Sequence, residues 1–253
     1  MTTLVVIAKA CVPGRVKTRL HPALTLEGAA RVAAASLADT LDALGATGPG
    51  AGSPGASVGR RVLFFDGGAA DVPQEAAGYD VVPQVPGPLD ARIGWLLDHV
   101  DGPLLLVGMD TPQVTTDRLA PALAGLADSG DGRDAWLGPA VDGGYWALGL
   151  GAGVRRSGHL SARRRAGRTR PAPWGAGRRG DLVRGVPMSR DDTGARQRER
   201  LERAGLRVRL LDELVDVDTV EDLRTVVRAA PGGRVARAAE ELGCLDLLPG
   251  AAS

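Results

Sequence analysis

The stretch Leu104-Leu105-Leu106-Val107-Gly108-Met109-Asp110-Thr111-Pro112 decides the fold class of this chain of 253 residues. Its first four residues are all apolar, as in a strand that is covered on both faces of a sheet. A segment with helical spacing of apolar residues follows from about 115 to 126. A buried strand followed by a helix of this length is the repeating unit of α/β proteins with a mostly parallel sheet.

The same alternation of strand and helix recurs on both sides of this stretch. The apolar patterns predict further strands over 4–8, 61–65, 79–82, 135–137, 145–148 and 207–211. They predict further helices over 25–44, 89–100, 189–205 and 218–229, the last two opened by capping boxes at Ser189–Asp192 and Asp218–Glu221. The sequence therefore predicts an α/β fold with a mostly parallel central sheet flanked by helices.

Two segments lack this periodicity. Residues 46–59 are rich in Gly, Ala, Ser and Pro and predict a flexible surface loop. Residues 155–184 carry ten arginines among Gly, Ala, Pro and Ser and predict a disordered insertion. A nucleic-acid-binding arm and an out-of-frame reading of a GC-rich gene are the two alternatives for this insertion. We expect one domain over 1–230 and a C-terminal helix and tail over 231–253.

Composition excludes several classes of protein. The formal net charge is +1, so the whole molecule has no electrostatic preference for nucleic acid or for an acidic membrane. Two cysteines, Cys11 and Cys244, make neither a metal cluster nor a disulfide scaffold. No leader-like segment and no apolar run of about 18 residues occurs, so we expect a cytoplasmic protein without a membrane span.

The loop after the first strand is the most unusual feature of the composition. Of 31 basic residues only Lys9 and Lys17 are lysines, and Arg15 and Arg19 lie in the same loop. Lysine is a compact, rotatable point charge suited to a phosphate oxygen, whereas arginine is a planar fork. Because parallel sheets bind ligands at the carboxyl ends of their strands, the loop is expected to bind an anion such as a polyphosphate, although chance clustering of the lysines in a solvated loop is also open.

Carboxylates follow three other predicted strands. Asp110 ends the most apolar strand, where a magnesium ion would offset the cost of burying its charge, although a role in capping the turn is also open. Asp142 precedes two glycines and can bind a sugar hydroxyl, an amine or a metal, or simply make a tight turn. Asp216 and Asp218 form a similar pair, and helix capping explains Asp218 at least as well as metal binding does.

Five motifs in order resemble the DUF2064 family, often labelled a glycosyltransferase or "transferase 1", within the GT-A nucleotide-diphospho-sugar transferase superfamily. The resemblance covers roughly residues 3–228. The motifs are Val-Val-Ile-Ala-Lys-Ala-x-Val-Pro-Gly-Arg-Val-Lys-Thr-Arg-Leu (5–20), Gly-Met-Asp-Thr-Pro (108–112), Gly-Pro-Ala-x-Asp-Gly-Gly-Tyr-Trp-x-Leu-Gly (138–149), Val-Pro-Met-Ser (186–189) and Asp-Val-Asp-Thr (216–219).

The resemblance implies a single GT-A (Rossmann-like) domain, a nucleotide-binding loop after the first strand, and magnesium bound by the carboxylate at Asp110. Cys11 stands where the family more often has Pro or Ala, and residues 155–184 lengthen a connection that is usually short. Relatives of the family include guanylyltransferases, so nucleotidyl and glycosyl transfer both remain open. A nucleotide-binding or regulatory protein without catalysis, and an RNA-associated protein acting through the Arg-rich insertion, are the alternative functions.

The expected function is that of a transferase dependent on Mg²⁺ (or Mn²⁺), with a nucleotide donor and a small-molecule acceptor. Nucleic acid is not an expected partner. The predicted nucleotide and phosphate ligands are Ala8, Lys9, Gly14, Arg15, Lys17, Arg19, Gln84 and Arg92. The predicted metal ligands are Asp110 and Asp218, the catalytic residues are Lys17, Asp110 and Asp142, and the acceptor-side residues are Gly143, Gly144 and Ser189.

Overall fold

A computed structural model describes residues 1–47, 58–128, 130–154 and 178–244 of the chain. Within these ranges seven strands form one sheet in the order β3-β2-β1-β4-β6-β5-β7. The strands are β1 (Thr2–Lys9), β2 (Val58–Asp66), β3 (Asp80–Pro83), β4 (Leu104–Gly108), β5 (Asp134–Pro139), β6 (Tyr145–Leu150) and β7 (Arg207–Leu210). Only β6 runs antiparallel to its neighbours in this sheet, so the predicted mostly parallel α/β fold is confirmed.

Six α-helices accompany the sheet within the described ranges. They are α1 (Leu26–Gly45), α2 (Leu89–His99), α3 (Thr116–Ala127), α4 (Thr193–Arg203), α5 (Val220–Ala229) and α6 (Arg234–Glu241). Successive residues of a strand point to opposite faces, so Leu4 and Val6 pack with α1 and α3, whereas Val5 packs with α2 and α4. Both faces of the central strands are therefore covered, which explains their uninterrupted apolar sequence.

A smaller apolar cluster joins α5 and α6 to α1 through Val32, Val226, Val235 and Ala239. No helix in the described part of the chain is both long and apolar enough to cross a membrane.

The two predicted capping boxes differ from the observed helix starts. Ser189 has a left-handed backbone (φ +59°), and α4 begins only at Thr193, whose hydroxyl accepts a hydrogen bond from the Arg190 amide. At α5 the N-cap is Thr219, which forms a capping box with Asp222 one residue later than predicted. Asp218 is consequently free of the helix-capping role.

The predicted irregular segments lie only partly within the described structure. Loop residues 48–57 and insertion residues 155–177 lie outside the described residues, and β2 already begins at Val58. The end of the predicted insertion, residues 178–184, is ordered and includes a 3₁₀ turn at Arg179–Leu182. The Arg179 guanidinium is buried there and donates to the carbonyl oxygens of Val100, Gly102 and Leu150. The prediction of disorder is wrong for residues 178–184. It rested on the Arg-rich composition, which does not show that one arginine, Arg179, is buried.

Candidate active site

A cavity of about 680 Å³ opens at the carboxyl edge of the sheet. Strand pairing aligns Lys9 with Asp66 and Ile7 with Gly108, so the ends of β1, β2 and β4 meet at this edge. Among the predicted site residues, those that line the cavity are Ala8, Lys9, Arg19, Gln84, Arg92, Asp110, Asp142, Gly144, Ser189 and Asp218. Gly14, Arg15, Lys17 and Gly143 do not line it.

Lys17 lies behind the cavity wall, between two of the predicted site carboxylates. Its Nζ atom is 2.7 Å from Asp110 Oδ1 and 2.9 Å from Asp218 Oδ1, and its side chain is only 4% exposed. Its backbone is left-handed (φ +47°), and the adjoining turn is fixed by the buried Val16 and Leu20. Burial alone would lower the pKa of Lys17, but the Asp110 and Asp218 carboxylates outweigh burial and raise it.

Asp216 adds a further carboxylate beside this ion pair. The Val217 amide between Asp216 and Asp218 donates to the carbonyl oxygen of Asp110, which ties the segment to the end of β4. Asp216 Oδ1 is buried without a hydrogen-bond partner in the described structure. Burial, and then the charges of Asp110 and Asp142, raise the pKa of Asp216 to about 7.

These carboxylates fit a divalent cation by charge and chemistry. Asp110, Asp142, Asp216 and Asp218 all line the cavity, and Mg²⁺ and Mn²⁺ prefer such oxygen ligands. The buried Asp216 oxygen without a hydrogen-bond partner is an acceptor that a bound cation would satisfy. No group of three or more His, Cys, Asp or Glu side chains in the described residues is already arranged as a metal-binding cluster.

The Asp142-Gly143-Gly144 turn contributes Asp142 and Gly144 to the lining of the cavity. Asp142 Oδ1 accepts a hydrogen bond from the Gly144 amide, so one carboxylate oxygen makes the turn itself. Gly143 has φ +85°, and a Cβ atom there would lie 1.8 Å from the carbonyl oxygen of Asp191. The Gly194 amide donates to Gly143 O, which fastens the turn to the loop that carries Ser189.

A hydrogen-bond network joins the ends of β1, β2 and β3 on the other side of the cavity. The side-chain amide of Gln84 donates through Nε2 to the carbonyl oxygens of Ala8 and Phe64, and its Oε1 accepts from Arg92 Nη1. The same Arg92 nitrogen lies 2.7 Å from Asp66 Oδ2. Gln84 and Arg92, both predicted nucleotide ligands, therefore contact each other at the cavity.

Four charged cavity residues were absent from the predicted set: Asp66, Arg190, Asp191 and Asp216. Asp66 ends β2, so a search for carboxylates after every strand could have identified it. Asp216 was recognised from the sequence beside Asp218 but was not counted among the predicted ligands. Arg190 and Asp191 had no such signal, because their predicted place inside a helical capping box was wrong.

Comparisons with known proteins agree with this architecture. A candidate nucleotide-diphospho-sugar transferase from Desulfovibrio desulfuricans G20 is 22% identical, with 96% of each chain covered and a TM-score of 0.71. This likeness concerns the fold and agrees with the predicted single α/β domain with a mostly parallel sheet.

Two further solved structures are less similar in fold, with TM-scores below 0.5. A Mycobacterium sp. strain JC1 homologue of M. tuberculosis Rv0371c is 20% identical over 91% of this chain and 97% of that chain, with a TM-score of 0.47. A CMP:2-keto-3-deoxy-manno-octonic acid synthetase complexed with CTP is 13% identical over 95% of this chain and 99% of that chain, with a TM-score of 0.43.

No curated protein matches the sequence. The sequence profile of the DUF2064 family, described as "Uncharacterized protein conserved in bacteria", matches residues 53–163. This range contains two of the five motifs, Gly-Met-Asp-Thr-Pro and the segment around Asp142-Gly143-Gly144. The resemblance drawn from those motifs is therefore confirmed, and the chain matches DUF2064 over residues 53–163.

Proposed function

We propose that this protein is a transferase that uses a nucleotide donor and a divalent cation. The observation that carries the proposal is the group of cavity carboxylates around Asp110 and Asp218, which contains the partnerless buried oxygen of Asp216. These carboxylates face the basic loop after β1, so cation and anion sites adjoin each other at the carboxyl edge of the sheet. Such adjacency suits a nucleotide diphosphate or triphosphate bound together with Mg²⁺ or Mn²⁺.

The residues divide into a donor side and an acceptor side. Asp110 and Asp218 would hold the metal, which when bound neutralises charge on the donor phosphates. Lys9 and Arg19 line the donor side and bind phosphate oxygens, and the network of Gln84, Arg92 and Asp66 shapes the rest of the donor site. Lys17 binds phosphate, as predicted, only after its ion pairs with Asp110 and Asp218 are broken.

On the acceptor side, Asp142 orients the attacking group. Its Oδ1 atom accepts from the Gly144 amide, which leaves Oδ2 free of the turn to accept a hydrogen bond from an acceptor hydroxyl or amine. The Gly143–Gly194 hydrogen bond holds this carboxylate in place relative to the Ser189 loop. Rate enhancement in this scheme comes from positioning and from charge stabilisation of the donor, without a covalent enzyme intermediate.

The choice between nucleotidyl and glycosyl transfer depends on which donor is accepted. The cations Lys9 and Arg19 close to the carboxylates suit a triphosphate, which favours nucleotidyl transfer. A nucleotide-sugar carries only a diphosphate but uses the same cation and anion sites. The reaction is therefore proposed at the level of transfer from a nucleotide donor.

A thermal-shift screen of nucleoside triphosphates and nucleotide-sugars, with and without Mg²⁺, tests the proposal. At a hundredfold excess over its Kd, a ligand that binds only the native state stabilises it by about 2.7 kcal/mol. Asp110→Asn is expected to abolish the metal-dependent part of the shift. Asp117→Asn removes an exposed carboxylate on α3 that does not line the cavity, so it should leave the shift unchanged.

The absence of any metal-dependent shift in the wild-type protein would overturn the proposed function. A shift with no turnover of the bound donor in the presence of mixed small-molecule acceptors would favour the alternative of a nucleotide-binding protein without catalysis. The release of pyrophosphate or of a nucleoside diphosphate then separates the two transfer reactions, because each reaction has a different leaving group.

A further inference from the structure

The position of Lys17 Nζ is the position that a bridging cation would need. The atom lies 2.7 Å from Asp110 Oδ1 and 2.9 Å from Asp218 Oδ1, so these two oxygens converge on one point although Lys17 and Asp218 are 201 residues apart. A magnesium ion binds oxygen ligands at about 2.0–2.1 Å, so a metal that uses this oxygen pair cannot share the point with an ammonium group.

The ammonium group of Lys17 is held there by its ion pairs with Asp110 and Asp218. The structure gives Nζ no other hydrogen-bond partner within the described ranges. The backbone is fixed by the left-handed conformation at Lys17 and by the buried side chains of Val16 and Leu20. Rotation of the four-carbon stem can therefore move the charge while the loop stays in place.

We propose that Lys17 occupies the cation position between Asp110 and Asp218 in the metal-free protein, and that the divalent cation displaces its ammonium group toward the donor phosphates. This inference rests on the proposed function. It reconciles the two sequence-based roles, phosphate binding by Lys17 and metal binding by Asp110 and Asp218, by assigning them to different states of the same site.

The exchange couples metal binding to nucleotide binding. A metal that enters alone has to break both bonds of Lys17 and leaves a buried ammonium without its partners. When a nucleotide is present, its phosphates receive the displaced ammonium and also supply ligands to the metal. Each ligand is therefore expected to raise the affinity for the other by the same factor, as linkage requires.

Metal binding in the absence of nucleotide gives the first test. Mn²⁺ titration followed by electron paramagnetic resonance is compared between wild type, Lys17→Gln and Lys9→Gln. The two variants lose the same charge from the same loop, but Lys9 has no contact with the two carboxylates. Because adjacent charges interact by several RT, Lys17→Gln is expected to bind Mn²⁺ about tenfold more tightly than wild type, and Lys9→Gln much less so.

Lysine reactivity in the wild-type protein gives the second test and needs no variant. Acetylation by an N-hydroxysuccinimide ester, mapped by mass spectrometry, reports on Lys17, and the exposed Lys9 is the internal reference because the chain has no other lysine. Without metal, Lys17 is expected to be protected by burial and by its two ion pairs. Saturation with Mn²⁺ alone is expected to raise acetylation of Lys17 relative to Lys9.

The outcomes separate this inference from the proposed function. Increased Lys17 acetylation on Mn²⁺ binding, with tighter Mn²⁺ binding by Lys17→Gln than by Lys9→Gln, supports the exchange. Unchanged protection of Lys17 at saturating Mn²⁺ overturns the exchange and leaves the metal-dependent nucleotide shift intact. Equal Mn²⁺ affinity in the two variants also overturns it, because a general charge effect then explains the result. Loss of the wild-type nucleotide shift overturns the proposed function and the exchange together.

Discussion

At the scale of single residues, the contacts of Lys17 explain why position 17 is a lysine and not an arginine like its neighbours Arg15 and Arg19. Its ammonium contacts one oxygen of each of two carboxylates from a space that leaves the side chain 4% exposed. A guanidinium is larger, planar and matched to both oxygens of one carboxylate. The composition indicated that a compact cation was selected here, and the ion pairs give a physical reason for it.

Lys17→Gln is expected to lower the free energy of unfolding by about 1.5–3 kcal/mol, the range for hydrogen bonds to charged groups. The loss stays below the value for a fully buried pair because Asp110 and Asp218 are 40% and 38% exposed and remain hydrated. Urea denaturation in the absence of metal measures this change. Lys9→Gln is the control and should change the unfolding free energy by less than about 0.5 kcal/mol.

Gly143 is the second residue of the site that cannot be replaced without strain. Gly143→Ala combines a left-handed backbone with a clash against Asp191 O, whereas Gly78→Ala has a similar φ of +84° and nothing within 4 Å of the new Cβ. The conformational cost alone is about 1–2 kcal/mol. Gly143→Ala should therefore destabilise the protein more than Gly78→Ala in urea denaturation. Equal destabilisation would contradict the close packing between the Asp142 turn and residue 191.

At the scale of elements, the start of α5 decides which carboxylate is available to the site. Thr219 caps the helix together with Asp222, and this one-residue shift from the predicted capping box leaves Asp218 for Lys17. A capping box at 218–221 and one at 219–222 both satisfy the local sequence pattern. The observed choice is set by contacts of residues 216–218 with the end of β4, which are not local in sequence.

Thr219→Ala is expected to cost about 1 kcal/mol of unfolding free energy, since the hydroxyl satisfies the Asp222 amide at the N-terminus of the helix. Thr219→Ser keeps the hydroxyl and should retain most of this stability. Chemical denaturation of both variants measures the difference. If serine and alanine prove equally destabilising, the hydroxyl is not the cap.

At the scale of the whole molecule, the sheet is protected at its edges by charge. β3 and β7 are short edge strands, and Arg207 at the start of β7 forms ion pairs with Asp134, the first residue of β5, and with Asp131 just before it. Charged side chains on edge strands disfavour pairing with another chain. The hydrogen bonds from Arg207, followed by the backbone hydrogen bond from Arg133, lower the pKa of Asp131 from 3.8 to about 2.

This lowered pKa predicts a pH-dependent contribution to stability. A carboxyl group with a lower pKa in the folded state stabilises the fold above the unfolded pKa of 3.8, and that contribution is lost as the pH falls toward about 2. The stability difference between wild type and Asp131→Asn should be constant near neutral pH and shrink below about pH 4. Urea denaturation across this range measures it, and a difference that stays constant to the lowest accessible pH would contradict the Asp131–Arg207 pairing.

Sequence by itself determined the alternation of strands and helices and the loops that carry the site. Apolar runs such as Leu104–Val107 and the helical spacing in α1 are local patterns. They predict a strand or a helix whatever the element later packs against. Because the carboxyl ends of parallel strands meet at one edge, the loop with Lys9 and the carboxylates Asp110 and Asp142 could be assigned to one cavity in advance.

Only the tertiary structure decided which charges touch. In the folded protein β6 runs antiparallel to its neighbours, and Thr219 caps α5. Arg179 is buried although its segment was predicted to be disordered, and Lys17 lies between Asp110 and Asp218. Each of these outcomes depends on contacts between residues that are far apart in the chain. Local propensity carries no information about such contacts, because their free energy arises from burial and charge pairing in the assembled sheet.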